Sequence, residues 1–132
     1  MLIYLLIALG GALGSVARYW LSGIIAVHYG ETFPWGTFWV NVTGCLAIGF
    51  LATFTGPDGR WIASSEARGF LMLGICGGYT TFSSFSLQTL NLARDGEWLY
   101  AGANVVGSVA LCLAAVWLGR VAAMALKPTK GF

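Results

Sequence analysis

Charge is scarce in this chain of 132 residues, which has seven Lys or Arg, five Asp or Glu and one histidine, His28. The acids, Glu31, Asp58, Glu66, Asp95 and Glu97, stand at the edges of apolar runs and never at the centre of one. That placement disfavours proton-coupled export through a buried carboxylate. A lone histidine excludes a Ser/His/Asp triad or a His-rich metal centre in an apolar core, so the chain is read as no enzyme. Phosphate-binding glycine loops and the dense basic clusters that grip nucleic acid are absent too. The three cysteines, Cys45, Cys76 and Cys112, are odd in number and far apart in sequence. They suit neither a disulfide framework nor a zinc site, and read as small packing residues.

What is present is apolar. Hydrophobic residues make up 58% of the chain and the mean hydropathy is +0.77, outside the range of soluble globules. A charge at the bilayer centre costs roughly 3 kcal/mol, so the charge-free stretches 32–57, 69–93 and 98–119 mark membrane spans. A fourth stretch, 2–27, is broken only by Arg18. The expectation is one all-α domain over 1–132, with helices at about 2–27, 34–56, 66–93 and 97–124. Gly14-Ser15-Val16-Ala17 looks like a signal-peptidase site, but the basic leader of a signal peptide is missing, so the first stretch is read as a helix. Trp20, Trp35, Trp61, Trp98 and Trp117 fall near expected helix ends, where amphipathic rings settle at the interface. Four spans put Arg60, Arg68, Arg120, Lys127 and Lys130 on one side against Arg18 and Arg94 on the other, which leans toward cytoplasmic termini.

The third stretch is unusual. Its 25 uncharged residues would extend ~37 Å as one helix, yet its middle reads "GGYTTFSSFS" from Gly77. Glycine costs roughly 1 kcal/mol against alanine in a helix interior and β-branched threonine is also a poor former, so a break is expected near 77–81. Unwound backbone inside a bilayer must be buried in protein or line a wet cavity. Its carbonyls suit a cation and the N-terminus of the following half-helix, near Thr81, suits an anion; a glycine kink re-satisfied by hydroxyls is the plain structural alternative. Phe82 and Phe85, three apart, share a helix face, and ring edges are electropositive. Ser83, Ser84 and Ser86 add hydroxyls, which serve as donors or bond back to the preceding turn. Asn41 adds amide donors to the second helix, for a ligand or for a helix-helix bond. Asn104, Ser108 and Cys112, four apart, share a face of the fourth helix, and Gly10-x-x-x-Gly14 gives the first a small-residue face. Arg18, the one charge well inside a span, suits snorkelling or a structural anchor.

"GGYTTFSSFS", with "WGTFWVNVTG" on the second helix, "GGALGSVARYW" on the first and "NVVGSVALC" on the fourth, resembles the Fluc (CrcB) fluoride channels across nearly the whole chain. The resemblance implies an antiparallel, dual-topology homodimer in a bacterial inner membrane, with two fluoride pores and a structural sodium ion at the interface. It implies that carbonyls of Gly77 and Thr80 hold the sodium. It also implies that Asn41, Phe82, Phe85, Ser83, Ser84 and Ser108, with Thr81 beside them, form the fluoride path. Arg18 matches a helix-one arginine of structural or vestibule role. Two positions depart from the pattern: Cys112 stands where serine or threonine is common, and Gln88 where glutamate is common.

The reading that follows is a passive fluoride channel, with lipid and a second copy as its partners, that relieves fluoride toxicity. Fluoride holds water tightly, so its path must supply moderate donors without a fixed charge that would trap it. The alternatives are a small drug or metabolite exporter, which needs the buried carboxylate this chain lacks, and a non-transporting membrane assembly protein, which would not need the break.

Overall fold

The computed structural model describes residues 1–126. Lys127 and Lys130, which enter the count of basic residues above, lie outside the described residues. Helix α1 covers Leu2–Tyr29 and α2 covers Trp35–Phe54. Helix α3, residues 65–79, begins with one α-turn, Ser65–Arg68, continues as a π-helix over Gly69–Cys76 and ends in a short α-turn, Gly77–Tyr79. Helix α4 is Phe82–Arg94 and α5 is Trp98–Ala125. Each of four spans, Leu2–Tyr29, Trp35–Phe54, Ser65–Arg94 and Trp98–Ala125, is long and apolar enough to cross a membrane. The described residues are all-helical, with four candidate spans among them.

Local chemistry sets the ends. Helix α1 stops at Gly30, whose φ of 81° lies where a side chain is strained, and the Gly30 amide donates to Ala26 O at 2.9 Å. Pro34 ends up just before α2 rather than in its first turn, its missing amide costing nothing there. The Ser64 side chain caps α3 by accepting from the Ala67 amide at 3.1 Å. Trp35 and Trp98 open α2 and α5, and Trp61 lies in a connection. Trp20 and Trp117 instead stand about two turns inside α1 and α5.

Two closely packed pairs carry the bundle, α1 with α3 and α2 with α5. Both rest on glycine. A Cβ on Gly10 would stand 2.6 Å from Phe70 O and 2.9 Å from the Cα of Gly74, and one on Gly14 would strike Ile75 O. In the second pair a Cβ on Gly49 would meet Val116 O, and one on Gly119 would meet Leu46 O. Lipid tails offer helices no hydrophobic reward for associating, so such close backbone contact is how dispersion holds a membrane bundle. Helix α4 differs, packing mainly on α5 and leaving Leu87, Leu90 and Phe82 exposed.

Candidate functional site

Between α3 and α4 the chain leaves helical geometry for two residues. Thr80 has φ −85° and ψ 157°, and Thr81 has φ −152° and ψ 116°, so both are extended. The Thr80 amide keeps its helical partner, Cys76 O, at 3.0 Å, but neighbouring main-chain groups lose theirs, and other parts of the protein take up several of them. Asn41 on α2 clamps Thr81 from both sides, its Nδ2 donating to Thr81 O at 3.0 Å and its Oδ1 accepting from the Thr81 amide at 2.8 Å. Gly78 O accepts from Arg18 Nε at 3.1 Å and from the Ser15 hydroxyl at 3.4 Å. Arg18 thus reaches inward to the interruption instead of snorkelling. The Thr80 hydroxyl donates back to Cys76 O at 2.9 Å. Among the described residues no donor reaches Gly77 O or Thr80 O, and Gly77 is exposed on the surface.

Thr81 is also the N-cap of α4. Its hydroxyl oxygen accepts from the Ser84 amide at 3.2 Å, and hydroxyl contacts of 3.2 Å join it to Ser83 and Ser84. The positive end of the α4 dipole opens at this point.

Beside it lies a cavity of about 250 Å³. Asn41, Thr81, Phe82, Phe85 and Ser108, drawn from α2, α4, α5 and the interruption, all line it. Thr80, Cys45, Val109 and Cys112 complete the wall. No carboxylate and no cationic side chain is among them. Phe82 and Phe85 do share this wall, with ring centroids 5.3 Å apart at 45°, but in different surroundings. Phe85 is buried at 9% exposure, whereas Phe82 is 77% exposed and has a free outer side. Ser83 and Ser84 stand apart from the cavity, engaged with Thr81. Ser86 donates back to Phe82 O at 2.9 Å.

The donors left to face this cavity are few. Thr80 spends its proton on Cys76 O and Ser108 spends its own on Asn104 Oδ1, 3.1 Å away. Asn41 uses one of two amide protons on Thr81, which leaves one. The remaining donors are the weak thiols of Cys45 and Cys112 and the electropositive ring edges of the phenylalanines. Such a site offers an anion several moderate contacts and no counter-charge. Among the described residues no group of three His, Cys, Asp or Glu could hold a metal ion.

A sequence model of the family described as CrcB-like protein, Camphor Resistance (CrcB), matches residues 5–120. This chain belongs to the CrcB family. Its relatives include a protein of Opitutus terrae, 64% identical over 131 residues that cover 99% of each chain, named "Fluoride-specific ion channel FluC". Proteins of the same name from Paramagnetospirillum magneticum and Rhodospirillum rubrum are 65% identical over 123 residues and 60% identical over 121. These matches cover 93% and 92% of this chain and 96% and 94% of the relatives.

Cys45, Thr89, Asn104 and the pairing of Tyr79 with Thr43 were not singled out as site residues by the sequence. Cys45 lies four residues after Asn41, and that spacing is the one signal that could have placed it on the cavity wall. Thr43 donates to Trp39 O at 2.7 Å, so the Tyr79 hydroxyl donates to Thr43 Oγ1 at 2.8 Å and anchors the last turn of α3 on α2. Gln88 lies away from the cavity, in a separate cleft of about 640 Å³ shared with Asn91, Asp95 and Glu97. Its Oε1 is buried and has no hydrogen-bond partner among the described residues.

Proposed function

We propose that this CrcB-family protein is a fluoride-selective passive channel of the bacterial inner membrane, which lets cytoplasmic fluoride leave down its gradient. The observation that carries this reading is the near full-length likeness to relatives named fluoride-specific ion channels, joined to a cavity that gathers Asn41, Phe82, Phe85 and Ser108 without a fixed charge. Hydrogen fluoride crosses lipid as a neutral acid and dissociates inside, so an exit for the anion lowers its internal level. The ring edges of Phe82 and Phe85 and the spare Asn41 proton replace part of fluoride's hydration, and the absence of a cation keeps the ion from being held too tightly.

The working unit in this reading is an antiparallel homodimer with a break in the third membrane span at its centre. The outward face of Phe82 and the exposed Gly77 support it, since a second copy seated there would close the open side of the cavity. Gly77 and Thr80 would hold a sodium ion through carbonyl oxygens that no donor reaches among the described residues, a donor set that suits a hard monovalent cation. When bound, that ion supplies positive charge to tie the two copies together. Ser83 and Ser84 keep a lesser part, at the α4 N-terminus beside the path. Arg18 is a structural anchor in this reading, holding α1 against the interruption.

The test is anion efflux from liposomes containing the purified protein, read with fluoride and chloride electrodes. Fluoride efflux that far outpaces chloride supports the channel; no fluoride efflux, or equal rates for both ions, refutes it.

A further inference from the structure

One polar chain in the bundle has no part in the clamp at Thr81. Asn104 on α5 is 1% exposed, among the most deeply buried side chains of the protein, and does not line the cavity. Its Nδ2 donates to Thr89 Oγ1 on α4 at 2.9 Å, and Thr89 in turn donates to Phe85 O at 2.7 Å. The orientation of the Asn104 amide follows from this order. Thr89 has one proton and places it on Phe85 O, so it must accept from Asn104, and the amide NH2 group must face it. Oδ1 is then left toward Ser108, whose hydroxyl donates to it at 3.1 Å. Every proton in the series points the same way, from Ser108 through Asn104 and Thr89 to the Phe85 carbonyl. Ser108 therefore meets the cavity with lone pairs rather than with its proton.

We propose that Asn104 is a positioning residue for anion passage, which withholds the Ser108 proton from the cavity and so keeps the path's affinity for fluoride low. This rests on the fluoride-channel reading above. A hydroxyl free to donate would add a charge-assisted hydrogen bond at the wall shared with Phe85, and a stronger site passes ions more slowly because each must leave before the next advances. Thr89 acts through Asn104: it accepts from Nδ2 and so sets Oδ1 toward Ser108, which it does not itself touch.

The experiment measures initial fluoride efflux from liposomes against internal fluoride concentration for five proteins: the wild type, Asn104→Leu, Thr89→Val, Ser108→Ala and the Asn104→Leu/Ser108→Ala double variant. Leucine matches asparagine in shape and accepts no proton. Asn104→Leu is expected to lower the half-saturating fluoride concentration about tenfold and to reduce the maximal rate. The double variant is expected to match Ser108→Ala alone, and Thr89→Val, which frees the Asn104 amide to turn, to shift half-saturation in the same direction as Asn104→Leu but by less. Half-saturation unchanged in Asn104→Leu, or shifted equally with and without Ser108, overturns the proposal. So does a shift of half-saturation in the opposite direction in Thr89→Val. If Asn104→Leu fails to fold, Asn104→Ala and Asn104→Val carry the same comparison. A wild type without fluoride efflux would instead sink the channel reading.

Discussion

Asn41 and Thr81 are joined by two hydrogen bonds of opposite sense, 3.0 Å from Asn41 Nδ2 to Thr81 O and 2.8 Å from the Thr81 amide to Asn41 Oδ1. One side chain on α2 thus replaces both partners that helical geometry would have given Thr81. The same residue lines the cavity with its remaining proton, so the support of the extended backbone and the supply of an anion donor fall on a single amide.

Asn41→Ala is therefore expected to act twice. It strands an amide and a carbonyl that are partly buried, at a cost of roughly 1–3 kcal/mol each before water reaches them. Thermal unfolding in detergent should show a lower midpoint, and fluoride efflux should fall more than tenfold. Normal stability with lost efflux would mean that water re-satisfies Thr81 and that the residue acts only on the ion.

The two phenylalanines should separate by readout. Phe82 is 77% exposed, so Phe82→Ile costs little of the chain's stability and should cut fluoride flux while the elution volume in size-exclusion chromatography stays that of the wild type. Phe85 is buried beneath it, and Phe85→Ala should lower both flux and thermal midpoint, by ~3 kcal/mol of stability. Unchanged flux in Phe82→Ile would reduce that ring to packing.

Thr81 caps α4 with its hydroxyl, a contact worth about 1 kcal/mol. Thr81→Val should destabilise by that amount and slow efflux, whereas Thr81→Ser keeps the oxygen and should restore both. A serine variant no better than valine would show that the methyl group, not the cap, matters.

Glycine packing gives a sharper stability contrast. A Cβ at Gly14 would strike Ile75 O and stand 2.8 Å from the Tyr79 nitrogen, while one at Gly23 on the same helix meets nothing within 4 Å. Gly14→Val should abolish a monodisperse product, and Gly23→Ala should purify as the wild type. Two equally stable variants would contradict the tight seam between α1 and α3.

Much of this was legible in the sequence because membrane physics writes a coarse signal. Charge-free runs gave the four spans, and the glycines of α1 gave a packing face that the structure places on α3. Asn41, Phe82, Phe85 and Ser108 could be named as candidates from residue type and from the family resemblance, and the fold brings them to one cavity. What the sequence could not supply was direction. Nothing in "TTFSSFS" says that Thr81 is held by Asn41 forty residues earlier, or that Ser83 and Ser84 turn to Thr81 and away from the cavity. Arg18 suited snorkelling or a structural anchor, and its distance from the interruption in sequence hides a 3.1 Å hydrogen bond to Gly78 O. The π-helix over Gly69–Cys76 had no signal in composition either, since hydrogen-bond register depends on how α1 presses on that segment.

The most direct measurement of the central claim is the reversal potential of the purified protein in a planar bilayer with fluoride salt on one side and chloride salt on the other. A passive fluoride-selective channel carries current without any coupled ion or energy source. The account predicts a reversal potential displaced strongly toward the fluoride equilibrium potential and unchanged by a pH gradient. A potential near zero, or one that follows the proton gradient, would contradict it.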